Sequence, residues 1–374
     1  MAKDPWHYPR KALATKFISQ LDTGLAPRLT LVAPRRKGKT EFLVYDLAPA
    51  AEKAGYRVVY ASLWANVNAP QLGLLEALSL AVEAKQKRRS VAKTVLGAAV
   101  QRVKIEALSV GAELEFADTP VRVTTDEISQ IDRLIDELAS GRRTKLLLIL
   151  DEIQHLVTEE AFAPLVYGLR TTLDRLRQVR VVFSGSSRGG IRRMFGDQNA
   201  PFFGFSTEVE LPDLDERFTA FLAKVYGKIT NREIDPQALW KPFVQLDRNP
   251  FYIREALKLM ALEPGLKPDA AIKRLLVAVA EQNDYAGVWS RLPKLDRALF
   301  LEISENPGSS GLHGSDKLER FSAIMGKPVS RTLVARRLQR LVDQNLVSAT
   351  SRGAYQVELP GFADWVIRHH GDED

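Results

Sequence analysis

The chain has 374 residues, 45% of them hydrophobic and 26% charged, and a formal net charge of +7. That length can bury a sizeable core divided over two or three domains. Its lack of cysteine excludes a disulfide scaffold, a zinc ribbon and a thiol nucleophile; no window approaches the ~18 uninterrupted apolar residues of a membrane span, so a cytoplasmic protein without membrane contact is expected.

The opening "MAKDPWHYPRK" lacks the apolar core of a signal peptide and precedes a helix near Lys11. The first 60 residues carry eleven Lys or Arg against five Asp or Glu, a basic balance that suits phosphates or a nucleic-acid backbone as partners and equally a solvated basic face. "RLTLVA" then reads as a buried parallel strand and "TEFLVYDLAPAAEKAG" as a helix ending at Gly55. The loop joining them, Ala33-Pro34-Arg35-Arg36-Lys37-Gly38-Lys39-Thr40, is a P-loop pattern with Ala33 in place of the first Gly. In such a loop the residues from Pro34 through Glu41 surround the phosphates, with backbone N–H groups from Arg35 onward as donors, Gly38 permits close approach, Lys39 reaches the β and γ oxygens, and Thr40 offers its hydroxyl to Mg²⁺.

"YRVVYASL" is the next strand. A long section follows it: a basic helix carrying Lys85, Lys87, Arg88, Arg89 and Lys93, then two alternating runs around Gly111 that read as a hairpin. This insert, about residues 85–118, is expected to contact polyanion, its plainer role being an edge of the sheet. "TKLLLILDEIQHL" is a second buried strand, ending in Asp151-Glu152. With a Gly-Lys-Thr loop upstream this is a Walker B arrangement, in which Asp151 serves the Mg²⁺ and Glu152 polarises the attacking water. "VRVVFSGSS" is a further strand.

Four stretches, "APRRKGKT", "LILDEIQHL", "FSGSS" and "APFFGFSTEVELPDLD", together resemble the archaeal-type ATPases, a clade of AAA+/STAND P-loop proteins related to the origin-recognition ATPases. The resemblance spans nearly the whole chain. It implies an α/β fold, an αβα sandwich on a parallel sheet over residues 1–212, followed by a helical lid over 213–288. It also implies ATP and Mg²⁺ as ligands, slow or partner-stimulated hydrolysis, and a homo-oligomer. By the same likeness, Ser184 or Ser186 is a polar sensor at the strand end, with helix capping the alternative role. The family's Arg after the Gly of "APFFGFST" is replaced by Phe205, so a trans-acting arginine must come from Arg188, Arg192 or Arg193, with Arg188 the expected one. Trp6, His7 and Tyr8 either flank the adenine or pack under the core. In the lid, Arg248 or Arg254 of "DRNPFYIREAL" is a candidate second sensor, and a turn closed by Asn249-Pro250 accounts for the same residues.

From Trp289 the pattern changes. Three helical stretches and a pair of alternating runs around Arg352-Gly353 predict a winged helix-turn-helix over 289–374. Its third helix, from Ser330 to Asn345, presents Arg331, Arg336, Arg337 and Arg340, with Arg352 at the wing tip, as DNA contacts, while Leu333, Val334, Leu338, Leu341 and Val342 form its core face. The module's twelve basic and eleven acidic residues leave protein docking open as its role. The expected function is an ATPase whose nucleotide state controls DNA binding and assembly through this module. The alternatives are a STAND-type signalling switch with a protein partner, or a transposition or replication-loading ATPase. No nucleophile elbow occurs, and the five His show no metal-ligand spacing, with His369 and His370 expected in a frayed acidic tail.

Overall fold

The computed structural model describes residues 4–90, 119–141, 144–196, 198–246, 248–308, 311–344, 346–351, 353–359 and 361–371. They form two compact units. One comprises Pro9–Ala33 and Lys39–Leu211, the other the described part of Met1–Tyr8, Pro34–Gly38 and Pro212–Asp374. The hairpin expected within the insert, and Lys93, lie outside the described residues.

The first unit is built on a five-stranded parallel sheet: β1 (Arg28–Val32), β2 (Tyr56–Ser62), β3 (Lys145–Asp151), β4 (Arg180–Gly185) and β5 (Thr207–Glu210), in the order β2-β3-β4-β1-β5. The central strands are apolar along nearly their whole length because helices cover both faces. In β3 every residue from Leu146 to Asp151 is buried. Its even-numbered leucines belong to one apolar layer, with Ile131, Ile135 and Leu165; Leu147 and Ile149 belong to the other, with Phe17, Phe42 and Leu47. This is the α/β sandwich expected of the sequence. Parallel register sets Leu31 of β1 beside Ser184 of β4, and Leu150 of β3 beside Phe183. The carboxyl ends of three strands therefore finish together, the place where open α/β sheets bind ligands.

The helix after the loop that follows β1 departs from the regular pattern expected. It starts as Lys39–Glu41, widens into a π-helical stretch at Phe42–Leu47 and resumes as Ala48–Lys53. Five of the six π-helical residues are buried, including Asp46, which accepts the backbone N–H of Arg10 at 3.1 Å. The wider turn lets more consecutive side chains face inward than a 3.6-residue period allows.

In the second unit one apolar core runs from Leu214 to Val366, with Trp6 and Tyr8 packed against it. The ring of Tyr8 meets Phe218 and Phe221 edge-on at 5.6 and 5.4 Å. Helices Glu216–Thr230, Pro236–Gln245, Pro250–Leu262 and Pro268–Gln282 come first, each opened by a helix-favouring cap or an early proline. Asn249 caps the third of them, accepting from Phe251 N–H at 3.1 Å. Helix Tyr285–Arg291 leads to Lys294–Glu305, Ser315–Met325 and Arg331–Asp343, then to the antiparallel pair β6 (Val347–Ser351) and β7 (Ala354–Val357). Of the tail expected to fray, His369 and His370 instead end a helix, Phe362–His370, and residues 372–374 lie outside the described residues. Phe362 and Val366 are fully buried, and the His369 and His370 rings stack on Trp365 and Trp289. Aromatic stacking holds these two histidines in the helix. Among the described residues no helix is long and apolar enough to cross a membrane.

Candidate nucleotide site and basic surfaces

The loop after β1 owes its path to two residues with positive φ, Arg36 at 66° and Gly38 at 85°. Only glycine takes the second without strain. Ala33 has no such requirement, which is why alanine serves where the pattern usually has glycine. Within the second unit, Arg36 donates to the Tyr252 hydroxyl at 2.8 Å and lies over the Phe251 ring at 4.5 Å, and Lys37 pairs with Asp213 at 3.2 Å. Arg35 is exposed and Pro34 half-buried.

Within the first unit, Lys39 is buried and its Nζ donates to the Ala33 carbonyl at 2.9 Å, 3.8 Å from Glu152 Oε1. Thr40 Oγ1 donates to Asp151 Oδ2 at 2.8 Å, so two residues 111 positions apart meet at one point. Asp151 Oδ2 also accepts from the Tyr60 hydroxyl at 3.0 Å, and Oδ1 from the Glu152 N–H at 3.1 Å. Burial, then the neighbouring Asp151 charge, pushes the Tyr60 hydroxyl well above its ordinary range, so it stays a donor. Tyr60 was not singled out by sequence. Its only signal was an aromatic hydroxyl near the end of a β-branched strand, too common to be read.

Glu152 stands just past the end of β3 in left-handed backbone, φ 57° and ψ 41°. Its Oε2 accepts from Ser186 Oγ at 2.6 Å and from Gln154 Nε2 at 2.5 Å. Ser184 Oγ is fully buried and lacks a hydrogen-bond partner among the described residues. Neither of these serines caps the next helix; Ser187 does, accepting from Gly190 N–H at 3.1 Å. Arg188 is half-buried in that helix, and Arg192 and Arg193 are exposed. Phe205, at the position of the missing arginine, is an aromatic anchor. It packs on Phe183 and Phe202, and Arg28 and Arg170 lie over its ring at 3.8 and 4.7 Å.

A hydroxyl beside a carboxylate is a donor pair for a hard cation, and an orphaned buried hydroxyl at the same end of the sheet calls for a further polar partner. No cluster of three or more His, Cys, Asp or Glu able to hold a metal occurs among the described residues. The arrangement suits Mg²⁺, which takes one or two carboxylates and completes its shell with phosphates and water, and Thr40 and Asp151 would hold it.

The candidate second sensors are engaged inside the second unit. Arg254 pairs with Asp4 at 3.1 Å, and Arg248 lies over Trp240 at 5.3 Å. On helix Arg331–Asp343, Arg331, Arg336 and Arg340 are exposed. Arg337 is not part of that row: its Nε lies 2.6 Å from Oδ1 of the fully buried Asp296. Burial pushes the Asp296 carboxyl up, and Arg337 opposes the shift. Arg352 lies outside the described residues. In the expected basic insert Lys85 is turned inward, its Nζ bonded to the Glu137 carbonyl and, at 3.1 Å, to Ser140 Oγ. It satisfies the end of helix Thr125–Ala139, which removes it from any polyanion surface. Lys87 is exposed.

No protein-family model matches the sequence, and no curated protein matches it. Among solved structures the chain is similar to the Walker-type ATPase of Pyrococcus abyssi, with 18% identity over 96% of this chain and 95% of that one and a TM-score of 0.62. It is also similar to the ORC2 protein of Aeropyrum pernix in its ADP form, with 17% identity over 96% and 90% and a TM-score of 0.50.

Proposed function

We propose that this chain, which has the P-loop α/β fold of the Walker-type and origin-recognition AAA+ ATPases, binds ATP with Mg²⁺, hydrolyses it, and uses its nucleotide state to control DNA engagement by residues 289–374. The observation that carries the reading is the 2.8 Å hydrogen bond from Thr40 to Asp151, which unites the two metal-binding positions of a P-loop ATPase. The N–H groups of the loop from Arg35 to Glu41 hold phosphate oxygens, and Lys39 exchanges the Ala33 carbonyl for the β and γ oxygens. Glu152 takes a proton from the attacking water as the water oxygen bonds to the γ-phosphorus and the bond from that phosphorus to the bridging oxygen breaks, releasing ADP and inorganic phosphate. Mg²⁺ held by Thr40 and Asp151 would supply charge neutralisation to the phosphates. Ser184 meets the γ-phosphate, and Arg188 is the arginine offered to a neighbouring subunit of a homo-oligomer.

For DNA, the exposed Arg331, Arg336 and Arg340 form the contact row, with Arg352 added from the wing; a cytoplasmic setting fits this role. The inward Arg337 favours a second reading, a nucleotide-gated switch whose output is a protein partner, because it thins the basic face. A mobility shift on mixed-sequence duplex at two salt concentrations, with ATP, ADP or no nucleotide, decides between them. ATP-dependent, salt-sensitive binding that Lys39→Ala abolishes is the expected result. Hydrolysis with no shift under any condition would transfer the output to a protein.

A further inference from the structure

Gln154 lies two residues beyond Glu152 in the short helical turn Ile153–Val157, whose Ile153 and Leu156 are buried, and is itself 6% exposed. A primary amide is an expensive occupant of such a place. Its Oε1 has no hydrogen-bond partner among the described residues, so packing alone would be served as well by methionine. The slot around it is nevertheless kept open by two glycines. A Cβ on Gly185 would come within 2.5 Å of Gln154 Oε1, and one on Gly190 within 2.8 Å of its Cβ and Cγ. Neither glycine has a positive φ, so space and not backbone freedom explains them.

The other end of the amide has a partner. Gln154 Nε2 and Ser186 Oγ both donate to Glu152 Oε2, and the two donors are themselves 3.5 Å apart. Glu152 Oε1 takes neither bond and lies nearest Lys39 Nζ. A carboxylate rotates about its last torsion with a broad, nearly two-fold profile, so its oxygens are otherwise interchangeable. Two donors fixed on one oxygen remove that ambiguity. The left-handed backbone of Glu152, costly for a residue with a side chain, marks a position that its surroundings hold in place.

We propose that Gln154 is a positioning residue for hydrolysis. With Ser186 it saturates Oε2 of Glu152 and sets Oε1 as the oxygen that receives the proton of the attacking water. The inference rests on Glu152 acting as the base, as proposed above.

The test uses the full chain and the variants Gln154→Met, which keeps the shape and loses the donor, Ser186→Ala and Ser186→Thr. Steady-state kcat and KM for ATP are measured beside the affinity for a fluorescent ATP analogue, which also reports a folded site. The expected result is a fall in kcat of about tenfold or more for Gln154→Met and Ser186→Ala, with analogue affinity within about twofold of wild type and activity retained by Ser186→Thr. A kcat within about twofold of wild type in both donor-less variants, or a loss carried by affinity alone, overturns the proposal. A wild type that hydrolyses no ATP would instead bring down the ATPase reading, and this inference with it.

Discussion

Asp151 is satisfied on both oxygens before any cation arrives, by Thr40 and Tyr60 on one and the Glu152 N–H on the other. In the proposed metal site Thr40 would release its bond, whereas Tyr60 can keep its own and hold the carboxylate in place. Hydrogen-bonding partners of metal ligands commonly contribute 10–100-fold to metal affinity. Tyr60→Phe is therefore expected to leave ADP binding in EDTA within about twofold and to reduce the gain on adding Mg²⁺ by about tenfold. Calorimetric titration with and without Mg²⁺ checks this; an unchanged gain would make Tyr60 a packing residue. The roles proposed for Lys39, Thr40, Asp151 and Glu152 were legible as expectations, because motif spacing points to a chemistry. Tyr60, Gln154 and the inward turn of Lys85 were not, since each depends on which neighbour the fold supplies.

Among the elements, helix Arg331–Asp343 shows how a periodic pattern can be right about a face and incomplete about a residue. Val334, Leu338 and Leu341 are buried as their spacing requires. Arg337 follows the same helical rotation to the rim of that face, where Asp296 is fully buried and 2.6 Å away. Removing one partner of a buried pair leaves an uncompensated charge, so Arg337→Met is expected to cost about 3–5 kcal/mol. Arg331→Met, Arg336→Met and Arg340→Met should each stay within about 0.5 kcal/mol. Urea unfolding followed by tryptophan fluorescence measures the contrast. Equal stabilities for all four variants would show that the pair contributes nothing. The π-helical stretch at Phe42–Leu47 was equally hidden, because a run of consecutive apolar residues does not reveal which period will bury it.

At the scale of the molecule, the chain resolves into two units, each with its own core. A ligand that binds only the folded state raises stability by mass action, about 2.7 kcal/mol at a hundred times Kd. ATP or ADP with Mg²⁺ is thus expected to raise the melting temperature by several degrees, and Lys39→Ala to remove the shift. Differential scanning calorimetry checks it, and an equal shift in Lys39→Ala would place the nucleotide elsewhere.

The four strands Arg28–Val32, Tyr56–Ser62, Lys145–Asp151 and Arg180–Gly185 and the motif loop after the first were legible in the sequence alone, because periodicity, turn residues and motif spacing act within a few tens of residues. Only the tertiary structure decided that Thr40 meets Asp151, that Phe205 anchors an aromatic cluster under two arginines, and that His369 and His370 close a packed helix. Those outcomes depend on contacts between residues distant in the chain. Local pattern states which residues prefer burial; the fold alone assigns each its partner.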